Sequence, residues 1–219
     1  MKSLFVLVAF FGLVGSVADA LAEPAPAYEG RRLFASYCRL CHGSTGKGDG
    51  PLAKKMEIIP ADLTITVRSR SDTILKKIIT GEGRQTITGR DRHNLLSNAM
   101  PQWGTVLSGQ QIDALIAYLR FLSTSKHELM GNPDVGYRLY QQYCTACHGE
   151  FGEGDGIMAK LIDIQPSDHS NVIEMDPISN EDLVNSIQYG KGEYMPAWGD
   201  ILSRSEIEAL VSYIRLLSN

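Results

Sequence analysis

Cys38-Arg39-Leu40-Cys41-His42 occurs once, and its pattern returns 106 positions later as Cys144-Thr145-Ala146-Cys147-His148. C-x-x-C-H is the attachment sequence of c-type haem. Two thiols three positions apart can each add across a vinyl group of the porphyrin, and the adjacent imidazole reaches the iron. The two motifs use all four cysteines of the chain. Two disulfides are the competing reading for an exported chain. A C-x-x-C disulfide needs no histidine after it, however, and here one follows both times.

Working outward, the repeat continues on both sides of the motif. Gly30, Arg32, Leu33, Phe34 and Tyr37 match Gly136, Arg138, Leu139, Tyr140 and Tyr143 at the same offset of 106. A helix is expected from about Tyr28 into the first motif. Its counterpart follows Asn132-Pro133-Asp134, with Asp134 as N-cap or first-turn acid. A glycine inside a helix costs about 1 kcal/mol relative to alanine, so its return at the same place points to a close helix crossing. Glu23-Pro24-Ala25-Pro26-Ala27 reads as an extended, mobile lead-in.

After each motif runs a glycine-rich turn, residues 43–50 and 149–156. It lacks the GK[ST] ending of a phosphate loop and reads as tight backbone around a cofactor edge. Pro60-Ala61-Asp62-Leu63 and Pro166-Ser167-Asp168-His169 keep the offset of 106. Two short helices come next, carried by Ile74, Leu75, Ile78 and Ile79 and by Leu183, Val184 and Ile187. They run into the stop signals Gly81/Gly83 and Gly190/Gly192. The first copy then holds about fourteen extra residues, at 84–98, polar and including Arg84, Arg90, Arg92 and His93. The copies realign at an offset of 95, where Met100-Pro101-Gln102-Trp103-Gly104 faces Met195-Pro196-Ala197-Trp198-Gly199. Each leads into a helix opened by a capping box, Ser108 with Gln111 and Ser203 with Glu206. Ile112, Leu115, Ile116 and Leu119 give one apolar face, and Ile207, Leu210, Val211 and Ile214 the other. A polar linker is expected over residues 123–132. No run has sheet patterning, so the expected fold is all-α: short helices and loops around two haems.

The 219 residues therefore divide into a secretory signal at 1–22, an N-terminal domain at 23–126 and a C-terminal domain at 127–219. The signal has Lys2 as its charged region, an apolar run from Leu4 to Val14 and small-x-small cleavage sites ending at Ala20 and Ala22. The competing reading is a retained anchor, for which the run is short, since a bilayer span needs ~20 apolar residues. The expected location is the periplasm, with no membrane span in the mature chain. The formal charge of −4 hides a split: 15 Lys/Arg against 9 Asp/Glu in residues 23–126, and 5 against 15 in residues 127–219. The basic charges are scattered, and nucleic acid is not an expected partner. An oriented field of this kind can steer a protein partner; the competing reading is two solvated faces of opposite charge.

His42 and His148 are the expected proximal iron ligands, each with its other ring nitrogen donating to a carbonyl. A thioether opposite favours ferrous iron. Of seven methionines only Met100 and Met195 recur, each before Pro-x-Trp-Gly. The expected haem-binding set is thus Cys38, Cys41, His42 and Met100 with Cys144, Cys147, His148 and Met195; His42, Met100, His148 and Met195 are the metal ligands. His93 is the competing distal ligand for the first iron. His127 and His169 read as structural or surface residues. Glu153 and Asp155 lack the spacing of a calcium loop.

A helix with Gly-x-x-x-Phe/Tyr, then C-x-x-C-H, a distal Met-Pro and a final amphipathic helix resembles class I cytochrome c, here in tandem, with a layout similar to the dihaem cytochrome c4 group. The resemblance implies two covalently bound haem c groups. It implies a crossing of first and last helices at Gly30/Phe34 against Tyr118 and at Gly136/Tyr140 against Tyr213. It also implies that Pro51 offers its carbonyl to the first imidazole, with Ile157 in that place in the second copy. The expected function is a periplasmic carrier, not an enzyme, that shuttles single electrons in a respiratory chain. Its partners are redox proteins acting as donor and acceptor, a membrane oxidase or reductase among them. One alternative is an electron-transfer subunit fixed in a larger membrane-associated redox complex. The other is a haem peroxidase or reductase, for which His93 and the arginines of the insert are the only hint of a pocket.

Overall fold

A computed structural model describes residues 25–82 and 100–218. The signal at 1–22, Glu23, Pro24, Gly83 and the insert at 84–98 with His93 lie outside the described residues.

In chain order the helices are α1 (Pro26–Leu33), α2 (Arg39–His42), α3 (Pro51–Lys55), α4 (Leu63–Thr66), α5 (Asp72–Thr80), α6 (Gly109–Thr124), α7 (Pro133–Tyr143), α8 (Thr145–His148), α9 (Ile157–Leu161), α10 (Val172–Met175), α11 (Asn180–Tyr189) and α12 (Arg204–Leu217). A π-helical turn, Phe34–Cys38, joins α1 to α2. Among the described residues extended pairing is limited to one bridge between Lys191 and Met195. The fold is all-α, as expected.

α1 begins earlier than the pattern suggests. Pro26 opens it, where its missing N–H is no loss, and Ala25 and Ala27 are buried. The expected mobile lead-in is therefore packed structure from Ala25 onward. α7 begins as expected: the Asn132 side chain accepts from the Asp134 N–H at 3.0 Å, and Asp134 is the first-turn acid. α5 ends on left-handed Gly81, and α11 ends at Gly190, also at positive φ. Both expected capping boxes form, and Ser179 with Asp182 adds a third at α11. Ser123 and Thr124, read as linker, complete the last turn of α6.

Each half is held by its first helix crossing its last. A Cβ on Gly30 would lie 1.9 Å from the Ala114 carbonyl oxygen, and one on Gly136 2.0 Å from that of Ala209. The absent side chain lets the backbones touch. Phe34 then packs on Tyr118 at 5.4 Å and Tyr140 on Tyr213 at 5.2 Å between ring centroids. The apolar faces of α6 and α12 are buried throughout, and the buried residues of both halves form one contiguous cluster.

The halves also meet directly. Tyr28 stacks on Tyr137 at 5.0 Å and meets the edge of Tyr213 at 5.2 Å. Its hydroxyl donates to Asp134 Oδ1 at 2.9 Å, and Arg31 pairs with Asp134 Oδ2 at 2.5 Å. Burial works to raise the Asp134 carboxyl, but the Arg31 hydrogen bond and charge more than offset it and hold the group below the usual carboxylate range. Lys126 pairs with Asp176 at 2.5 Å, and His127 Nε2 lies 2.9 Å from the Asp176 carbonyl, a structural role for that histidine.

Candidate haem sites

The motif occupies one helical turn in each half. α2 carries Arg39 to His42 and α8 carries Thr145 to His148. Both turns end on a glycine at positive φ, Gly43 and Gly149. The glycine-rich segment then folds back and caps the motif. Gly48 N–H donates to the His42 carbonyl at 2.8 Å and Gly50 N–H to that of Cys41 at 3.1 Å. Gly154 and Gly156 repeat both bonds on His148 and Cys147, at 2.9 and 3.2 Å. A Cβ on Gly50 would sit 2.3 Å from the Leu40 carbonyl oxygen. The backbone here is as tight as the sequence suggests. Its contact is with the motif's own main chain.

The orienting carbonyls come from another place than the resemblance implied. His42 Nδ1 meets the Ala61 carbonyl at 3.2 Å and His148 Nδ1 that of Ser167 at 3.4 Å. Pro51 instead opens α3 at its first position. A proline is suited to start a helix, and its carbonyl is then drawn into the helix. The segments that do serve are the repeated Pro-x-Asp stretches at 60–62 and 166–168, whose constant offset was the available signal. With Nδ1 engaged, Nε2 is the nitrogen left to ligate in each ring. Burial pushes both imidazoles below their usual range, with the backbone bond partly opposing it. Each ring is thus neutral, the form that binds a metal.

No disulfide joins Cys38 to Cys41 or Cys144 to Cys147, which removes the disulfide reading. Burial, with Cys41 adding, pushes Cys38 up to about 12; burial, with Cys147 adding, does the same to Cys144. Met100, Met195, Trp103 and Trp198 are all partly buried against the core. The tryptophans meet Tyr37 at 5.3 Å and Tyr143 at 5.1 Å. Just beyond them the equivalent residues Val106 and Ile201 remain 60% and 62% exposed. Among the described residues no three His, Cys, Asp or Glu side chains converge on a bare metal ion. Two cysteines on one turn, a neutral oriented imidazole and apolar surface left uncovered in both halves fit a covalently attached porphyrin.

Two kinds of residue escaped the sequence reading. Arg120 ties α6 to the segment before α5, donating to the carbonyls of Val67 at 2.8 Å and Arg70 at 2.6 Å and to Asp72 Oδ1. Arg215 does the same from α12, donating to the carbonyls of Met175 at 2.7 Å and Ile178 and to Asn180 Oδ1 at 2.9 Å. Their offset of 95 was readable, but the pattern of a helix gives no hint of what a polar residue on its face will reach. The other is His169, read as structural or surface. It is 8% exposed and lies flat against the ring of the motif's own histidine, 4.2 Å from His148 between centroids at 15°. Burial, with His148 adding, lowers it to about 3.

Comparison with known proteins bears on the family. The family model described as cytochrome c oxidase, cbb3-type, subunit III matches residues 25–119 and again 131–214. The subunit FixP of a cbb3-type cytochrome c oxidase from Azorhizobium caulinodans is 29% identical over 194 residues, covering 86% of this chain and 59% of that protein. FixP of Bradyrhizobium diazoefficiens is 27% identical, covering 92% of this chain and 66% of its own length. The chain thus spans about three fifths of the length of such relatives. Superposition on reduced cytochrome c4 from Pseudomonas stutzeri gives a TM-score of 0.28 at 21% identity, covering 86% of this chain and 97% of that one. Two C-x-x-C-H turns, each with its imidazole oriented by a carbonyl and each inside a matched segment, place the chain in the family of cytochrome c oxidase, cbb3-type, subunit III, as a tandem dihaem c-type cytochrome.

Proposed function

We propose that the chain is the electron-transfer part of a subunit held in a membrane oxidase complex of the cbb3 type, with the freely diffusing shuttle as the second reading. The observation that carries this is the match of the family model to both halves. Every curated relative named above is a subunit of a cbb3-type oxidase by its own description. Bound haem c supplies a one-electron couple between ferric and ferrous iron. The chain is then a carrier and not itself a catalyst.

In this reading Cys38, Cys41, Cys144 and Cys147 would hold the porphyrins, and His42, His148, Met100 and Met195 would ligate the irons. A neutral sulfur there favours the reduced state. The Ala61 and Ser167 carbonyls fix the two imidazole rings. Trp103 and Trp198, packed against Tyr37 and Tyr143, would lower the polarity around the haems. The division between the two haem domains falls near residues 126–127, after α6 and before α7. The chain faces the periplasm. Among the described residues no helix is long and apolar enough to cross a membrane, so attachment runs through contacts to other subunits or through residues outside those described.

Gentle solubilisation of native membranes followed by native electrophoresis tests the placement. The chain is expected to migrate with an oxidase, and stripping it is expected to abolish electron entry from reduced donor. Recovery wholly as a free monomer in the soluble fraction, with oxidase activity intact without it, would overturn the subunit reading in favour of the shuttle. A methionine-to-iron charge-transfer band from both haems checks the ligands separately.

A further inference from the structure

The two halves repeat each other closely, which makes one correlated difference stand out. Leu63 and His169 occupy the same place: their N–H groups donate to the Gly46 and Gly152 carbonyls, at 2.7 and 2.6 Å. Phe34 and Tyr140 also correspond, each packed on the matching tyrosine of the last helix. A Cβ on Gly46 would touch Leu63 and Leu122, and one on Gly152 would touch His169, Leu217 and the Tyr140 hydroxyl. The apolar pair Phe34/Leu63 of the first half has thus become the polar pair Tyr140/His169 of the second.

Neither polar member is tolerable alone in a buried place, because an unpartnered polar group there costs about 1–3 kcal/mol. Together they share a hydrogen bond, Tyr140 hydroxyl to His169 Nδ1, at 3.2 Å. That bond fixes the His169 ring, which lies nearly parallel to His148. The first half has only an aliphatic side chain at the matching position.

We propose that Tyr140 and His169 are positioning residues that set the second haem apart from the first: His169, locked by Tyr140, orients the His148 ring and makes its surroundings more polar. This rests on His148 being the ligand of the second haem. A ferric haem carries one more positive charge than a ferrous one, and polar groups favour the more charged form over what an apolar wall allows. The pair therefore lowers the second reduction potential relative to a Phe/Leu pair in the same place.

The test exchanges the pairs, since each is known to fit this fold. In the holoprotein, Tyr140→Phe/His169→Leu is expected to raise one midpoint and leave the other. The same variant is expected to change the low-spin ferric EPR signal of the site that moves, as its imidazole then packs on an aliphatic side chain in place of a parallel ring. The reciprocal variant Phe34→Tyr/Leu63→His is expected to lower the other midpoint. Mass spectrometry first confirms two attached haems. Fewer than two in the wild type means that the site reading itself fails. With both haems attached, midpoints and EPR signals unmoved in either exchange, whatever happens to thermal stability, would reduce the pair to packing and overturn the proposal.

Discussion

Gly136→Ala should destabilise the second half, against the ordinary benefit of alanine in a helix. The new Cβ would sit 2.0 Å from the Ala209 carbonyl oxygen, 2.6 Å from its carbon and 2.9 Å from Tyr213 Cβ. Ordinary contact lies near ~3.5 Å, and the obstacle is backbone, so no side chain can swing aside. α7 and α12 must part, which also loosens Tyr140 against Tyr213. Overpacking of this severity costs about 3 kcal/mol. Alanine's higher helix propensity returns about 1 kcal/mol, leaving a net loss of ~2 kcal/mol. For a unit of 60–100 residues that corresponds to a fall in Tm of roughly 8–16 °C. Thermal unfolding followed by far-UV circular dichroism on the holoprotein measures it. Gly109→Ala is the control: it lies at the start of α6 with nothing within 4 Å of the added carbon, and should be neutral or mildly stabilising. A Gly136→Ala protein as stable as the wild type, or more so, would refute the close crossing.

Asp134→Ala should weaken the junction between the halves by about 2 kcal/mol, since it removes charge-assisted bonds from Arg31 and Tyr28, and calorimetry should then resolve two unfolding transitions. The Asp134 carboxyl is held low in the folded chain, so its contribution is complete above the ordinary carboxylate range near ~4 and is lost as pH falls through the depressed value; the gap between wild type and variant should close on acidification and persist on the alkaline side. Glu57 and Asp163 take the left-handed conformation at equivalent helix ends, both with φ of 54°, where glycine is favoured, so Glu57→Gly and Asp163→Gly should each stabilise by up to about 1 kcal/mol in denaturant titrations. Reaction with the physiological electron donor should slow as ionic strength rises, because the two halves carry opposite formal charge; stopped-flow rates flat across salt would remove steering.

Much of this protein was legible in the chain itself. Cys38, Cys41 and His42, with their copies, announce covalent haem because the chemistry demands that spacing. Gly30 and Gly136 point to a crossing because an unfavourable helix residue returns in register, though shared ancestry alone would also repeat it; the contacts of both with the last helices decide for the crossing. The capping boxes and the buried faces of α6 and α12 follow from local rules, since their partners lie within a turn or two along the chain. What tertiary structure alone decided are matters of who lies opposite whom. Ala61 and Ser167, and not Pro51, present the orienting carbonyls, because any backbone carbonyl will serve and only the path of the loop selects one. Arg120 and Arg215 look like exposed helix residues until the preceding loop closes over their guanidinium groups. His169 differs from Leu63 by one letter in a repeat, and only the packed structure lays that letter flat against the His148 ring. A sequence records which groups are available; their contacts across distant segments exist only once the chain has closed on itself.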